Sequence, residues 1–276
     1  PKRDWSSDVC SSDLVRAGRI ALGECDGECG GLSFSVTEKT WPLGYGLRRY
    51  DTLDSTNAEA LHLASAGVST PLWIWCLTQT GGRGRQGRAW ISEAGNLYAT
   101  LLLEAPPDLA QLSFVAALAA YDTAASIAPG AVLGLKWPND ILLNRRKLGG
   151  ILLEREGPYA AIGIGLNLAH HPEGTEFPAS SLNAEPGIMV SPEEALHRLA
   201  GHWAACYEVW RSQGFPIVRE AWLARASGLG EPIRARLTGQ EVDGVFEDIA
   251  EDGVLLLRQA DGRLLRLAAA DVFFRS

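Results

Sequence analysis

The chain has 276 residues, of which 46% are hydrophobic and 21% charged, and its formal net charge is −8. That length can bury a sizeable core, as one large domain or as a medium domain followed by a small one. The acidic balance argues against a general coat for nucleic acid or membrane, since both surfaces are anionic, and leaves room only for a local basic site.

Residues 1–39 differ in texture from the rest. "PKRDWSSDVCSSDL" repeats a Ser-Ser-Asp step, and "GECDGECGG" is acidic and glycine-rich. Neither has a stable period, so this segment is expected to be disordered or foreign to the folded part. The five cysteines (Cys10, Cys25, Cys29, Cys76, Cys206) are irregularly spaced and suggest no disulfide framework. Cys25 and Cys29 lack the second pair that a zinc finger needs, and Cys76 lies in an apolar run as a buried thiol would. No apolar run approaches membrane-spanning length, and no signal-peptide core is present, so a reducing cytoplasm is expected.

The folded part is expected to begin near Trp41. A first strand ends at Leu53, and Asp54 or Ser55 then caps a helix with Ala58, Leu61 and Ala64 as its apolar positions. "PLWIWCLTQT", residues 71–80, reads as a buried strand, and "NLYATLLLE" as another. Residues 109–128 suit a helix with Leu112, Val115, Ala116 and Ala119 on one face. "AVLGLKWPND" reads as a strand running into a proline turn, "KLGGILLE" and "YAAIGIGLNL" as two further strands, and 192–212 and 215–226 as helices. From Glu231 the pattern changes to five short strands, with turn signals at Thr238-Gly239, Asp252-Gly253 and Asp261-Gly262. The expectation is a mixed α/β domain over residues 40–228 and a small β module, barrel-like, over 229–276.

Between two of these strands lies "GGRGRQGRAW", residues 81–90, with three arginines and four glycines. Gly82, Gly84 and Gly87 fit the dinucleotide-binding spacing, but that motif must open a helix, and strand-like sequence follows instead. The phosphate-loop pattern fails because Arg88 and Ala89 stand where Lys and Ser/Thr are required. RNA-binding Arg-Gly segments come in long repeats, and this is a single copy. A solvated loop would leave the three arginines as an accident of composition. The remaining reading is a loop that folds over a phosphate-bearing ligand, with glycines allowing close approach and arginines supplying forked donors.

Two further constellations agree with it. In "KWPND", Pro138 ends the strand and projects Asn139 and Asp140, which suit a nucleotide or a metal. Seven residues after Asp140, Lys147 opens an apolar strand, where an ammonium needs a partner anion unless it is an edge lysine kept for solubility. The five histidines form no i,i+4 metal pair, and no Ser-His-Asp pattern appears.

Taken in order, "DSTN", "GRGRQGRAW", "KWPNDILL", "KLGGILLE" and "GIGLNL" resemble the biotin–protein ligases, over about residues 45–275. The resemblance implies an α/β (α+β) catalytic domain like that of class II aminoacyl-tRNA synthetases, with an SH3-like small β-barrel after it. It implies that biotin and ATP, with Mg2+, are joined to biotinyl-5′-AMP, and that biotin then passes to one lysine of a biotin carboxyl carrier domain, of acetyl-CoA carboxylase or a related enzyme. By motif, Ser55, Thr56 and Asn57 would border the biotin site and Gln79 would reach its polar ring. Gly82, Arg83, Gly84 and Arg85 would close over biotin and adenylate, Arg88 would contact phosphate, and Trp90 would pack near the adenine. Asn139, Asp140 and Asn167 would serve the nucleotide, and Lys147 would pair with the biotin carboxylate and the α-phosphate. Lys147, Arg85 and Asp140 are the implied catalytic set.

The family's bifunctional members carry an N-terminal helix-turn-helix, which residues 1–39 are too short and irregular to form. A ligase without repressor function is therefore expected, with no nucleic-acid or membrane partner and with a homodimer allowed. The rival on the same fold is a lipoate–protein ligase, which would lack the doubled Gly-Arg step. A rival of another class is a nucleic-acid-binding module, which the acidic total charge disfavours.

Overall fold

A strand that is apolar at every position must be covered on both faces. The "LWIWC" run does this in β2 (Leu72–Gln79), where Leu72, Trp73, Ile74, Trp75 and Cys76 are all buried. Leu72 and Ile74 point to one side, toward α1 (Thr56–Ser65), and Trp73 and Trp75 to the other. The computed structural model, which describes residues 41–274, builds a seven-stranded sheet around this strand. Its other members are β1 (Gly46–Leu53), β3 (Leu97–Glu104), β4 (Leu133–Lys136), β5 (Asp140–Leu143), β6 (Arg146–Glu156) and β7 (Tyr159–Leu166). The order is β1-β2-β3-β7-β6-β5-β4, with β1 parallel to β2 and every other pair antiparallel.

On one face α1 packs Ala60, Leu63 and Ala64 against Leu72, Ile74, Leu102 and Ala161. The opposite face is covered by α2 (Leu112–Ile127), α3 (Pro192–Gln213) and α4 (Phe215–Leu223). Helix α2 is buried nearly all round, Ala116 to Ala120 included, which explains why it is so rich in alanine. Helix α3 buries Leu196, Leu199, Trp203 and Cys206 at helical spacing. The Ser191 hydroxyl accepts from the Glu194 N–H at its start, with Pro192 in the first turn.

Two local expectations change. Ser55 is the cap of α1, but Ala58 and Leu61 are only half-buried, and the buried face runs through Thr56, Asn57, Ala60, Leu63 and Ala64. An apolar pattern could not register that the first turn buries polar side chains. The proline turn after β4 also does not end the sheet. It leads into β5, buried at all four positions, and Asn144 and Arg145, both with positive φ, turn the chain into β6.

The C-terminal strands β8 (Pro232–Leu237), β9 (Gln240–Ile249), β10 (Leu255–Arg258), β11 (Leu264–Leu267) and β12 (Asp271–Phe274) form an antiparallel sheet in the order β11-β10-β9-β8-β12. Gly239, Gly253 and Gly262 hold positive φ at its three turns, a backbone state that glycine adopts without steric cost. Phe246 meets Trp222 of α4, and the Gly253 carbonyl accepts from the Trp137 indole at 3.1 Å, so this sheet shares the main core. Cys76 and Cys206 are separate buried thiols, while residues 1–39, with Cys10, Cys25 and Cys29, lie outside the described residues. Among the described residues no helix is long and apolar enough to cross a membrane.

Candidate active site

The α1 side of the sheet is hollowed where glycines face it. Gly150 of β6 pairs with Gly165 of β7, and Leu152 pairs with Gly163. A Cβ at Gly165 would meet the Trp90 ring at 2.8 Å, and one at Gly163 would collide with the Asn57 carboxamide oxygen. The glycines thus admit side chains from α1 and from the 81–90 loop, and beyond these lies a cavity of about 380 Å³.

One end of the cavity is neutral and polar. The Gln79 side-chain oxygen accepts from the Thr56 N–H at 2.8 Å, and its amide nitrogen donates to Ser92 Oγ at 2.9 Å. Asn57 Nδ2 donates to Glu154 Oε2 at 2.7 Å, and Asn57 Oδ1 lies 2.6 Å from the Thr100 hydroxyl. Ser55, Thr56, Asn57 and Thr100 are all buried.

The other end is cationic. The loop folds as a tight hairpin, with Gly84 N–H donating to the Arg88 carbonyl at 2.7 Å and Trp90 N–H to the Gly82 carbonyl at 2.9 Å. Its arginines fan out. Arg83 reaches Glu154 at 3.7 Å, Arg85 donates to Asn139 Oδ1 at 3.3 Å, and Arg88 pairs with Asp271 of β12. Burial pulls the Arg85 pKa down. Asp140, opposite Lys136 in the β4–β5 hairpin, lies 2.6 Å from Lys147 Nζ and 3.5 Å from Lys136 Nζ. Lys136 is buried beneath the Phe177 ring, 3.4 Å from its centroid, and burial lowers its pKa against the pull of Asp140. The cavity wall carries five cationic side chains (Arg83, Arg85, Arg88, Lys136, Lys147) and three anionic ones (Asp140, Glu176, Asp271). In a chain of net charge −8 this local excess suits an anionic ligand.

Of the residues singled out in the sequence, Ser55, Thr56, Asn57, Gln79, Arg83, Gly84, Arg85, Arg88, Trp90, Asn139, Asp140, Lys147 and Asn167 all border this cavity. Gly82 stands behind the wall, where a Cβ would press on Ser92 and the Trp90 carbonyl. Three asparagines are already committed within the protein. Asn57 is held as described, Asn139 Nδ2 donates to the Ile151 carbonyl at 2.6 Å, and Asn167 Nδ2 to the Ser180 carbonyl at 3.0 Å. Sequence reasoning passed over Lys136, Ser92, Thr100, Phe177 and Asp271 as site residues. Lys136 opens "KWPND" and was legible as a charge at a strand end, but the other four carry no local signal. Among the described residues no three His, Cys, Asp or Glu side chains gather as a metal cage, and Asp140 and Asp271 are each ion-paired.

Comparison with known proteins gives the following matches. Residues 50–168 match the family described as Biotin/lipoate A/B protein ligase family, and residues 228–275 match the Biotin protein ligase C terminal domain. The chain is 46% identical over 235 residues to the biotin--[acetyl-CoA-carboxylase] ligase of Paracoccus denitrificans, covering 80% of this chain and 97% of that one. It is 34% identical over 254 residues to the ligase of the same name from Mycobacterium tuberculosis, covering 86% and 93%. The structure of the biotin protein ligase from Aquifex aeolicus in complex with biotin and ATP superposes with a TM-score of 0.73 at 26% identity, over 83% of this chain and 98% of that one.

Proposed function

The chain belongs to the biotin protein ligase family, and from that premise we propose that it is an ATP-dependent biotin–protein ligase whose polar pocket end takes the biotin ring and whose cationic end takes ATP. In the first step an oxygen of the biotin carboxylate attacks the α-phosphorus. The bond to the β-phosphate oxygen breaks, and pyrophosphate leaves with that electron pair. Magnesium arrives on the ATP phosphates as part of the substrate. In the second step the neutral amine of a carrier lysine attacks the acyl carbon, AMP leaves, and the amine gives up a proton.

The observation that carries this reading is the charge division of one cavity. Joining two anions requires their repulsion to be offset, and fixed Arg and Lys groups do so most strongly where charge gathers in the transition state. Lys147 and Arg85 take that role, with Asp140 and Asn139 orienting them. Arg88 meets the outer phosphates, and Trp90, against Gly150 and Gly165, forms the surface for the adenine. Residues 40–228 serve as the catalytic domain, and residues 229–276 supply Asp271 as the partner of Arg88. The protein partner is a biotin carboxyl carrier domain. The two separate buried thiols suit a reducing cytoplasm.

The lipoate alternative is disfavoured by the polar end. A dithiolane has no N–H or carbonyl to meet the polar side chains of Gln79, Thr56 and Ser55, so that end of the cavity gives it no specific contact. Incubation with ATP, magnesium and labelled biotin or lipoate, followed by addition of a carrier domain, tests this. Biotinyl-adenylate and a labelled carrier are expected. Lipoyl-adenylate without biotinyl-adenylate overturns the substrate assignment.

A further inference from the structure

Thr100, at the centre of β3, is fully buried and does not itself line the cavity, yet its hydroxyl lies 2.6 Å from Asn57 Oδ1 and 2.8 Å from Thr56 Oγ1. A hydroxyl has one proton, so only one of these contacts can be a donation from Thr100 at a time. Asn57 decides which. Its Nδ2 is flanked by two acceptors, Glu154 Oε2 at 2.7 Å and the Leu152 carbonyl at 3.3 Å, which fixes Oδ1 as the end facing Thr100. Thr100 therefore donates to Asn57 at the shorter distance, 2.6 Å, and Thr56 Oγ1 at 2.8 Å is the second acceptor that the same proton can reach. The result is a one-way chain, Thr100 to Asn57 to the Glu154 carboxylate, ending on an anion as the strongest such chains do.

Thr56 in turn holds Gln79. Gln79 Oε1 accepts from the Thr56 N–H at 2.8 Å and from the Thr56 hydroxyl at a longer 3.2 Å. The Gln79 amide is also pinned at its other end by Ser92. The longer contact, from the Thr56 hydroxyl, is the one a ligand N–H can displace at Oε1, since Gln79 borders the cavity. Gly163 makes the chain possible. It pairs with Thr100 in register, and a side chain there would occupy the place of the Asn57 carboxamide. At the far end Glu154 also faces Arg83 of the loop at 3.7 Å.

We infer that Thr100 and Glu154 are positioning residues for ring recognition: they orient Thr56 and Asn57 so that Gln79 presents an acceptor to a ring N–H of the substrate, and Glu154 ties that arrangement to the loop. The inference rests on the biotin reading above. Its test is steady-state adenylation by wild type, Thr100→Val, Thr100→Ser and Glu154→Ala, with biotin and with biotin methylated on a ring nitrogen as substrates. Thr100→Val keeps the shape and removes the donor. It is expected to raise the KM for biotin about tenfold, to leave kcat and the KM for ATP near wild type, and to shrink the preference for biotin over its N-methyl analogue. Thr100→Ser restores the KM. Glu154→Ala, at the partly exposed end where no buried hole opens, gives a smaller KM shift of the same sign. An unchanged biotin KM in both Thr100→Val and Glu154→Ala, or a fall in kcat alone, overturns the inference. Wild type that makes no biotinyl-adenylate overturns the biotin reading itself, which separates the two failures.

Discussion

Asp140 holds two ammonium groups, Lys147 at 2.6 Å and Lys136 at 3.5 Å, on side chains that are 28% and 8% exposed. One carboxylate cannot neutralise two cations, and the surplus charge is what an incoming phosphate would meet. Removing Lys147 leaves Asp140 paired with Lys136, so the fold should survive. Lys147→Ala is therefore expected to slow pyrophosphate release a hundredfold or more at saturating biotin and ATP, a loss of about 3 kcal/mol in the transition state, with a melting curve close to wild type. Lys147→Arg should not restore the rate. The Lys147 chain runs within 3.4 Å of where a Gly150 Cβ would sit and close to Trp90, and a planar fork does not fit where a compact ammonium does. Near-normal pyrophosphate release from Lys147→Ala would return this residue to the role of a surface lysine. That a lysine opening an apolar strand needs an anion was legible in the sequence. That Asp140 supplies one was not, because a bulge intervenes. Leu142 pairs with Lys147 but Ile141 pairs with Gly149, so Leu148 is the extra residue. It brings Lys147 and Gly150 to one face, where strict alternation would set them on opposite faces.

At the scale of elements, the 81–90 loop is built as a hairpin, with Gln86 and Gly87 at positive φ, and is pinned from two directions. Arg85 reaches Asn139 after β4, and Arg88 reaches Asp271 on β12. The Arg88 side chain is 57% exposed, so its ion pair is worth about 1 kcal/mol at most. Asp271→Ala should then speed hydrogen exchange of residues 81–88 in the unliganded protein by no more than about fivefold. Biotin with ATP should restore protection in wild type and variant alike, since phosphate replaces the lost carboxylate. Equal protection with and without ligand would make the loop a fixed wall rather than a closing one. The elements that could be read in advance were those with a long apolar run or period, such as β2, α2 and α3, and the short C-terminal strands set apart by glycine turns. Strand β5 has four residues and follows a proline, too short for a period to show. The buried face of α1 was misjudged because Thr56 and Asn57 are buried for their hydrogen bonds. The Arg88–Asp271 pair spans 183 residues of sequence, and no local pattern announces it.

For the whole molecule, the helical layer and the site-bearing sheet are joined through a buried ionic cluster. Asp122 of α2 lies 3.5 Å from Arg225, whose carbonyl accepts from the Leu135 N–H at 2.8 Å, one residue before Lys136. His202 of α3 is buried in the same layer, with no hydrogen-bond partner on Nδ1 among the described residues. Burial, outweighing Arg225, pushes the Asp122 carboxyl up to about 6. Burial, helped by Arg198, pushes His202 down to about 4. These shifts act on stability with opposite signs. Folded Asp122 holds its proton more tightly than the unfolded chain does, so its contribution is full in acid and is lost as pH rises from about 4 to 6. Folded His202 holds its proton less tightly, so its contribution is absent in acid and grows as pH rises from about 4 to 6.5. At about 1.4 kcal/mol per pKa unit each is worth about 3 kcal/mol, and in wild type the two nearly cancel. The variants should separate them. Relative to wild type, Asp122→Asn is expected to gain about 3 kcal/mol between pH 4 and 6, on top of a uniform loss from removing the carboxylate that faces Arg225. His202→Gln is expected to lose about 3 kcal/mol between pH 4 and 6.5. Urea unfolding at pH 4, 5, 6 and 7 reads both, and taking differences from wild type removes the slope contributed by every other carboxylate. Three parallel stability–pH curves would mean that neither group is desolvated as the structure has it, and that helices α2 and α3 close less tightly over this cluster.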